Sequence, residues 1–301
     1  MAKEIQDILE ESFRAHLFIE FYYRKPLHGT LLEHLDSENY NKILLEQYGV
    51  FDGCYDLAKQ IAEEIPLLSK KEEIFVTFKD NKFVNKVKLI SDSSIDVMAY
   101  DPDETIFNKH FNILKLVIRV NPNCINNEDI IPLIMHELTH AYQDAEMYKR
   151  GDRLFYQLEC ENYYGSQEGN DTELRKIIAD IIYYSNNFER GAYIAQIAGM
   201  LQVDGIKIGS VSDAYKYIRN TQVYKDYIQV LTNIQKLINT NDKKDKQLIL
   251  SEFNKVALRK YKSFSDVARW LRHRALNIKK KFEKTIPKAI FDNVEFKHCV
   301  K

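Results

Sequence analysis

The sequence predicts an α+β fold, in which a small, twisted, mostly antiparallel sheet precedes a helix bearing paired histidines, with helical N-terminal and C-terminal regions on either side. Three observations predict it. Apolar residues recur at three- and four-residue spacing through the first 66 positions. They alternate with period two from about 73 to 120, and return to helical spacing from Asn121 almost to the end. On this pattern the chain divides into a helical N-terminal region (1–66), a domain of strands and helices (67–205) and a helical C-terminal region (206–301).

In chain order, Ile5, Ile8, Leu9, Phe13, Leu17 and Phe21 line one face of an amphipathic helix. A second helix runs from about Asp52 to Ile65 and stops at Pro66, which has no N–H to continue it. Ile74, Val76 and Phe78 then alternate with Phe75 and Thr77. Asp80-Asn81 supplies turn chemistry and Phe83, Asn85, Val87 and Leu89 resume the alternation, so the pair reads as a hairpin. Ile95–Tyr100 and Ile113–Val120 are further strands. The second places Lys115, Val117 and Arg119 on one face and Leu114, Leu116, Ile118 and Val120 on the other, predicting one wet and one buried side. Asp129 is positioned to N-cap a helix over about Ile130–Met147, with Pro132 in the first turn where a missing N–H is tolerated. Asp171 or Thr172 caps the next helix, which carries Leu174, Ile177, Ile178, Ile181 and Ile182. Another helix starts near Asn187, and several more fill about 211–284.

At 301 residues and 45% hydrophobic, the chain can bury one large core or two modest ones. Its net charge of -1 creates no global field toward nucleic acid or a membrane. Acids interrupt the first twenty residues, which therefore do not read as a signal peptide. No stretch approaches the ~20 apolar residues that span a bilayer. Cys54, Cys124, Cys160 and Cys299 form no CxxC pair and read as reduced thiols. These features predict a cytoplasmic protein, or one enclosed in a particle assembled in a cytosol.

The segment Leu133-Ile134-Met135-His136-Glu137-Leu138-Thr139-His140-Ala141-Tyr142 carries the chemistry. Two histidines four apart project from one helical face, about 6 Å apart along the axis. Both imidazoles then reach a single ion at the ~2.0–2.1 Å zinc–nitrogen distance. Glu137, beside the first of them, approaches a water on that ion without ligating the metal, and a carboxylate there acts as general base. This is the HExxH pattern. The other residues of the segment are uncharged, as suits a helix buried beneath a cleft.

Motif and element order together resemble the zincin metallopeptidases: a twisted sheet, a helix bearing HExxH, then helices that supply a third ligand. The resemblance covers about residues 73 to 200. It implies one zinc ion per chain, a peptide or protein substrate, and Ile113–Val120 as the edge strand along which an extended peptide lies. Positions 143 and 146 are Gln and Glu, which departs from the metzincin extension HExxHxxGxxH. In the gluzincin type a glutamate from a later helix completes the site, and Glu189 in Asn187-Phe188-Glu189-Arg190-Gly191-Ala192 is the leading candidate, with Asp180, Glu173 and Glu146 as rivals. Ala192, Ala195 and Gly199 would let that helix pack closely on the HExxH helix. Asp144 is a candidate to orient His140, although a solvated helix acid is the plainer reading. Tyr183, Tyr184 and Tyr193 are candidates to stabilise an oxyanion.

Residues 255–288 carry twelve bases against two acids, whereas residues 1–66 carry thirteen acids against six bases. A basic stripe of this kind is ordinarily the solvated side of an amphipathic helix. Opposed charges at the two ends suit head-to-tail contacts in a homo-oligomer or a larger assembly. The alternative function is accordingly a structural or assembly component, such as a phage virion or toxin-complex protein, that retains the fold with or without protease activity. Nucleic acid and membrane are not expected partners.

Overall fold

The computed structural model describes residues 51–78, 84–108, 113–124, 130–150, 172–185, 187–256 and 260–292. The expected helix through Ile5–Phe21, the hairpin turn at Asp80-Asn81 and the Asp129 and Asp171 caps lie outside them. The described chain is α+β and mostly helical, with one small mixed sheet.

Helix α1 (Phe51–Glu64) buries Cys54, Leu57, Ala58 and Ile61, a stripe at three- and four-residue spacing. Pro66 follows in the first turn of a short 3-10 segment, Ile65–Ser69, so the α-helix stops where its N–H is missing. Strands β1 (Glu73–Thr77) and β2 (Lys86–Ser91) pair antiparallel with Val76 opposite Val87, as the alternation predicted. Beyond them come β3 (Met98–Tyr100), β4 (Ile106–Phe107) and β5 (Ile113–Val120).

Strand order is β1-β2-β5-β3, with β4 also pairing to β5. β5 runs parallel to β2 and antiparallel to β3, so Ile113–Val120 is an interior strand rather than the expected edge. Leu116, Val117 and Ile118 are buried in succession, the pattern of a strand covered on both faces, whereas Leu114, expected on the buried side, is 39% exposed. Val117 is fully buried on the side expected to be wet. The Asp101–Phe107 segment accounts for this: the Val117 N–H donates to Thr105 Oγ1 at 3.1 Å. Arg119 on the same side is held by Asp101 at 2.7 Å and by Asp92 and Glu104 at 3.2 Å. β3 is the last strand on its side of the described sheet. Asp101 and Asn121 donate to Val117 and Val97 carbonyls, so residues 97 and 101 face β5. Met98 and Tyr100 therefore turn their backbone groups the other way.

Helix α2 (Ile130–Arg150) packs one face on the sheet and another on α4 (Asn187–Val203), which follows α3 (Glu173–Ser185). α5 (Val211–Ile218), α6 (Gln222–Ile238), α7 (Lys243–Val256), α8 (Phe264–Lys280), a π-helical turn Lys281–Thr285 and α9 (Ile286–Asp292) complete a helical bundle. Ser210, Thr221 and Ser263 cap α5, α6 and α8 by accepting the backbone N–H three residues on. Two apolar cores result. One joins α1, the sheet and α2; the other joins α3, α4 and the later helices. Helix α4 serves both, through Ala195 to the first and Ile194, Ile197 and Leu201 to the second. It ends at Gly205, whose φ of 64° is the left-handed conformation that favours glycine. Among the described residues, no helix is long and apolar enough to cross a membrane.

The approach of α4 to α2 depends on small residues. Ala192, Ala195 and Ala198 are fully buried, and a Cβ on Gly199 would stand 2.8 Å from Met135 Sδ and 3.1 Å from Pro132 Cα. Met135 can turn aside, but the Pro132 backbone cannot. Gly199→Val is therefore expected to destabilise the fold by about 1–3 kcal/mol through overpacking and to weaken metal binding, read by thermal melts with and without metal.

Candidate metal centre

His136 and His140 stand one turn apart on α2, and Glu189 occupies the first turn of α4. The small-residue contact brings these helices close enough for the three side chains to meet. His136 Nε2 and His140 Nε2 are 3.1 Å apart; Glu189 Oε2 lies 3.3 Å from the first and Oε1 3.4 Å from the second. Bonds of ~2.0–2.1 Å in a tetrahedron set their outer atoms about 3.3–3.4 Å apart. The observed triangle has that size. Side-chain exposures of 6, 11 and 9% make the cluster a buried one.

The outer ring nitrogens fix the tautomers. His136 Nδ1 meets Gln196 Oε1 and His140 Nδ1 meets Gln143 Oε1, each at 3.1 Å. An amide oxygen only accepts, so with an ion in place of any added proton each ring would donate from Nδ1 and turn a lone pair inward at Nε2. Two lone pairs and a carboxylate then face one another, and Glu189 Oε2 is buried with no hydrogen-bond partner. Three electron-pair donors in mutual contact require a cation or an added proton between them. Burial alone would lower the pKa of His140, but the Glu189 carboxylate reverses this and lifts it to about 9. Burial likewise opposes charge on Glu189, yet the two histidines hold its carboxyl far below the ordinary range. The donor set, its spacing and its charge fit a divalent metal.

Glu137, between the histidines in sequence, is also buried, and its Oε2 accepts the Tyr100 N–H at 2.7 Å. That N–H is one of the groups β3 turns away from β5. Burial raises the pKa of Glu137, partly countered by both histidines and this hydrogen bond. Tyr100 makes a second link: its hydroxyl donates to Asp144 Oδ2 at 2.6 Å. Asp144 has no exposed surface, so it is not the solvated acid that the plainer sequence reading expected. It ties the edge strand to the motif helix one turn beyond His140.

Among the described residues, the His/Cys/Asp/Glu side chains that converge closely enough to hold an ion are His136, His140 and Glu189. Of the rivals to Glu189, Glu173 is exposed at the start of α3 and Asp180 is half-buried along it. The side chain of Glu146 lies outside the described residues. Tyr193 stands edge-on to His136, with ring centroids 5.3 Å apart, and stacks on Tyr184 at 5.7 Å. Its hydroxyl is engaged with Tyr183 and Tyr184, so the trio forms an aromatic wall behind His136. Gln143, Gln196 and Tyr100 were not singled out from sequence. Gln196 shares a helical face with Glu189, Ala192 and Gly199, a signal available in the spacing. Gln196→Ala or Gln143→Ala is expected to lower metal affinity by roughly 10–100-fold, the range for groups that orient ligating histidines, measured by competition with a chromogenic chelator.

Comparison with known proteins finds no family model, no curated protein and no solved structure that matches this chain. The site therefore rests on its own residues.

Proposed function

We propose that the chain is a zinc-dependent metallopeptidase of the zincin type, HExxH followed by a distant glutamate, with His136, His140 and Glu189 as metal ligands and Glu137 as general base. The observation that carries this reading is the triangle of two Nε2 atoms and a carboxylate at tetrahedral edge lengths. Two histidines and a glutamate, with a fourth position left to water or substrate, are a ligand set of catalytic zinc in peptidases. When bound, the ion supplies Lewis acidity: it polarises a carbonyl and lowers the pKa of a water.

The chain's own groups supply the remainder. Glu137 takes the proton of the attacking water and passes it to the departing amine. The Tyr100 N–H fixes one oxygen of that carboxylate, and burial raises its proton affinity in a direction that suits transient protonation. An extended peptide is held along β3 through the Met98 backbone groups, which face away from β5, since the Tyr100 N–H already serves Glu137. The edge expected at Ile113–Val120 thus moves to Met98–Tyr100. Incubation of the zinc-loaded protein with a peptide library, with and without chelator, tests the reading. Metal bound in full with no peptide cleaved counts against it.

A second reading has its own observation. Arg269, Arg272, Lys279 and Lys280 surround Leu276, which is 67% exposed on α8. Such a face suits contact within a larger assembly, the setting in which the chain would act as a structural component in a cytoplasm or a particle. Native mass measurement separates the two: an oligomer that Glu137→Gln leaves intact favours assembly.

A further inference from the structure

Glu189 sits on the first turn of α4, directly after the α3–α4 connection, so whatever fixes that connection also fixes this side chain. We propose that the π-helical turn Lys281–Thr285 is a positioning element for it, with Lys281 clamping the end of α3 and Phe282 buttressing the wall behind His136. This rests on the metal-centre reading above.

Lys281 is buried, a rare condition for lysine, and its ammonium donates to the Tyr184 carbonyl at 2.8 Å across 97 positions of sequence. Tyr184 is the penultimate residue of α3. Its carbonyl is among the last four of the helix, which have no partner within it and carry the negative end of the helix dipole. A cation there anchors the end of α3. Removing the charge would take from that part-buried carbonyl the donor that holds it.

Phe282, the next residue, is fully buried. Its ring lies 5.5 Å from Tyr193, 6.3 Å from Tyr184 and stacks on Tyr227 at 4.7 Å. Tyr193 is one turn beyond Glu189 on α4 and edge-on to His136. Two neighbouring side chains of one turn thus grip both sides of the α3–α4 junction, one through a carbonyl and one through an aromatic ring. A π-turn widens the helix by one residue and changes which side chains share a face. Burying an ammonium costs stability that an apolar residue would not. Its presence at this point is better explained by placement than by packing.

The test uses the full chain loaded with Co2+, whose visible bands report coordination geometry, alongside circular dichroism for helix content. Lys281→Met is expected to weaken cobalt binding on the order of tenfold and to alter the bands, since Glu189 shifts against the histidines. Lys281→Arg restores both, because the guanidinium still donates to the Tyr184 carbonyl. A merely structural lysine would change neither the spectrum nor the rescue. Cobalt affinity and spectrum in Lys281→Met equal to wild type overturn the inference, as does failure of Lys281→Arg to restore them. Should Lys281→Met lose its helix content, Phe282→Leu carries the test with the same expected direction, and an unchanged spectrum there overturns the inference. Wild-type protein that binds no cobalt overturns the metal centre itself.

Discussion

Glu137→Gln is expected to abolish peptide hydrolysis while leaving the metal in place. Glutamine keeps the shape of the side chain and an oxygen able to accept the Tyr100 N–H now received by Glu137 Oε2. His136, His140 and Glu189 are untouched, so metal content stays at the wild-type level. What disappears is the ability to accept a proton from water, a contribution of about 10²–10⁴ in rate for a positioned general base. Turnover of a cleaved peptide, measured beside metal content in the same preparation, separates chemistry from binding. A variant within about tenfold of wild type would remove Glu137 from the mechanism.

Glu189→Ala is expected to lose the metal itself. The two Nε2 atoms remain on one helix face, but the carboxylate that completes the triangle and balances the ion's charge is gone. The loss of affinity should exceed the roughly 10–100-fold seen for groups that only orient ligands. The metal-free protein responds to pH as well. His140 is raised from 6.5 to about 9 in the fold and Glu189 is lowered from 4.5, so their pairing contributes stability in full between about pH 4.5 and 6.5 and loses it as pH rises through about 9. Removing Glu189 therefore costs most between about pH 4.5 and 6.5, and the penalty shrinks toward and beyond pH 9. Melts of both metal-free proteins across that range check the sign. A penalty that grows with pH contradicts the pairing.

The parts of the molecule legible in sequence are those whose geometry is local. His136, Glu137 and His140 share one turn, so helical period alone places them. The helix over about Asp52–Ile65 and the hairpin of β1 with β2 were readable for the same reason. Glu189 was reached by way of a resemblance and not by spacing, because 49 residues separate it from His140 and only the fold joins them. Its helix nevertheless announced a close approach through Ala192, Ala195 and Gly199. The sheet edge was misplaced. Ile113–Val120 has eight residues and Met98–Tyr100 only three, and Lys115 and Arg119 break the longer strand's apolar run, so its interior place shows only where Leu116, Val117 and Ile118 follow one another. Asp144 was read as solvated because its own helix says nothing of Tyr100, which arrives from 44 residues earlier. Gln143 and Gln196 carry no charge and fit no motif; what they do depends on which ring nitrogen they meet, and only the face that Gln196 shares with Glu189 hints at it.

Crystals of the full chain grown with zinc, and diffraction recorded on both sides of the zinc absorption edge, test the shared ion most directly. The expected result is one anomalous peak within bonding reach of Nε2 of both motif histidines and of the α4 glutamate. A peak elsewhere with nothing between those three side chains, or imidazoles turned toward separate surroundings, would contradict it.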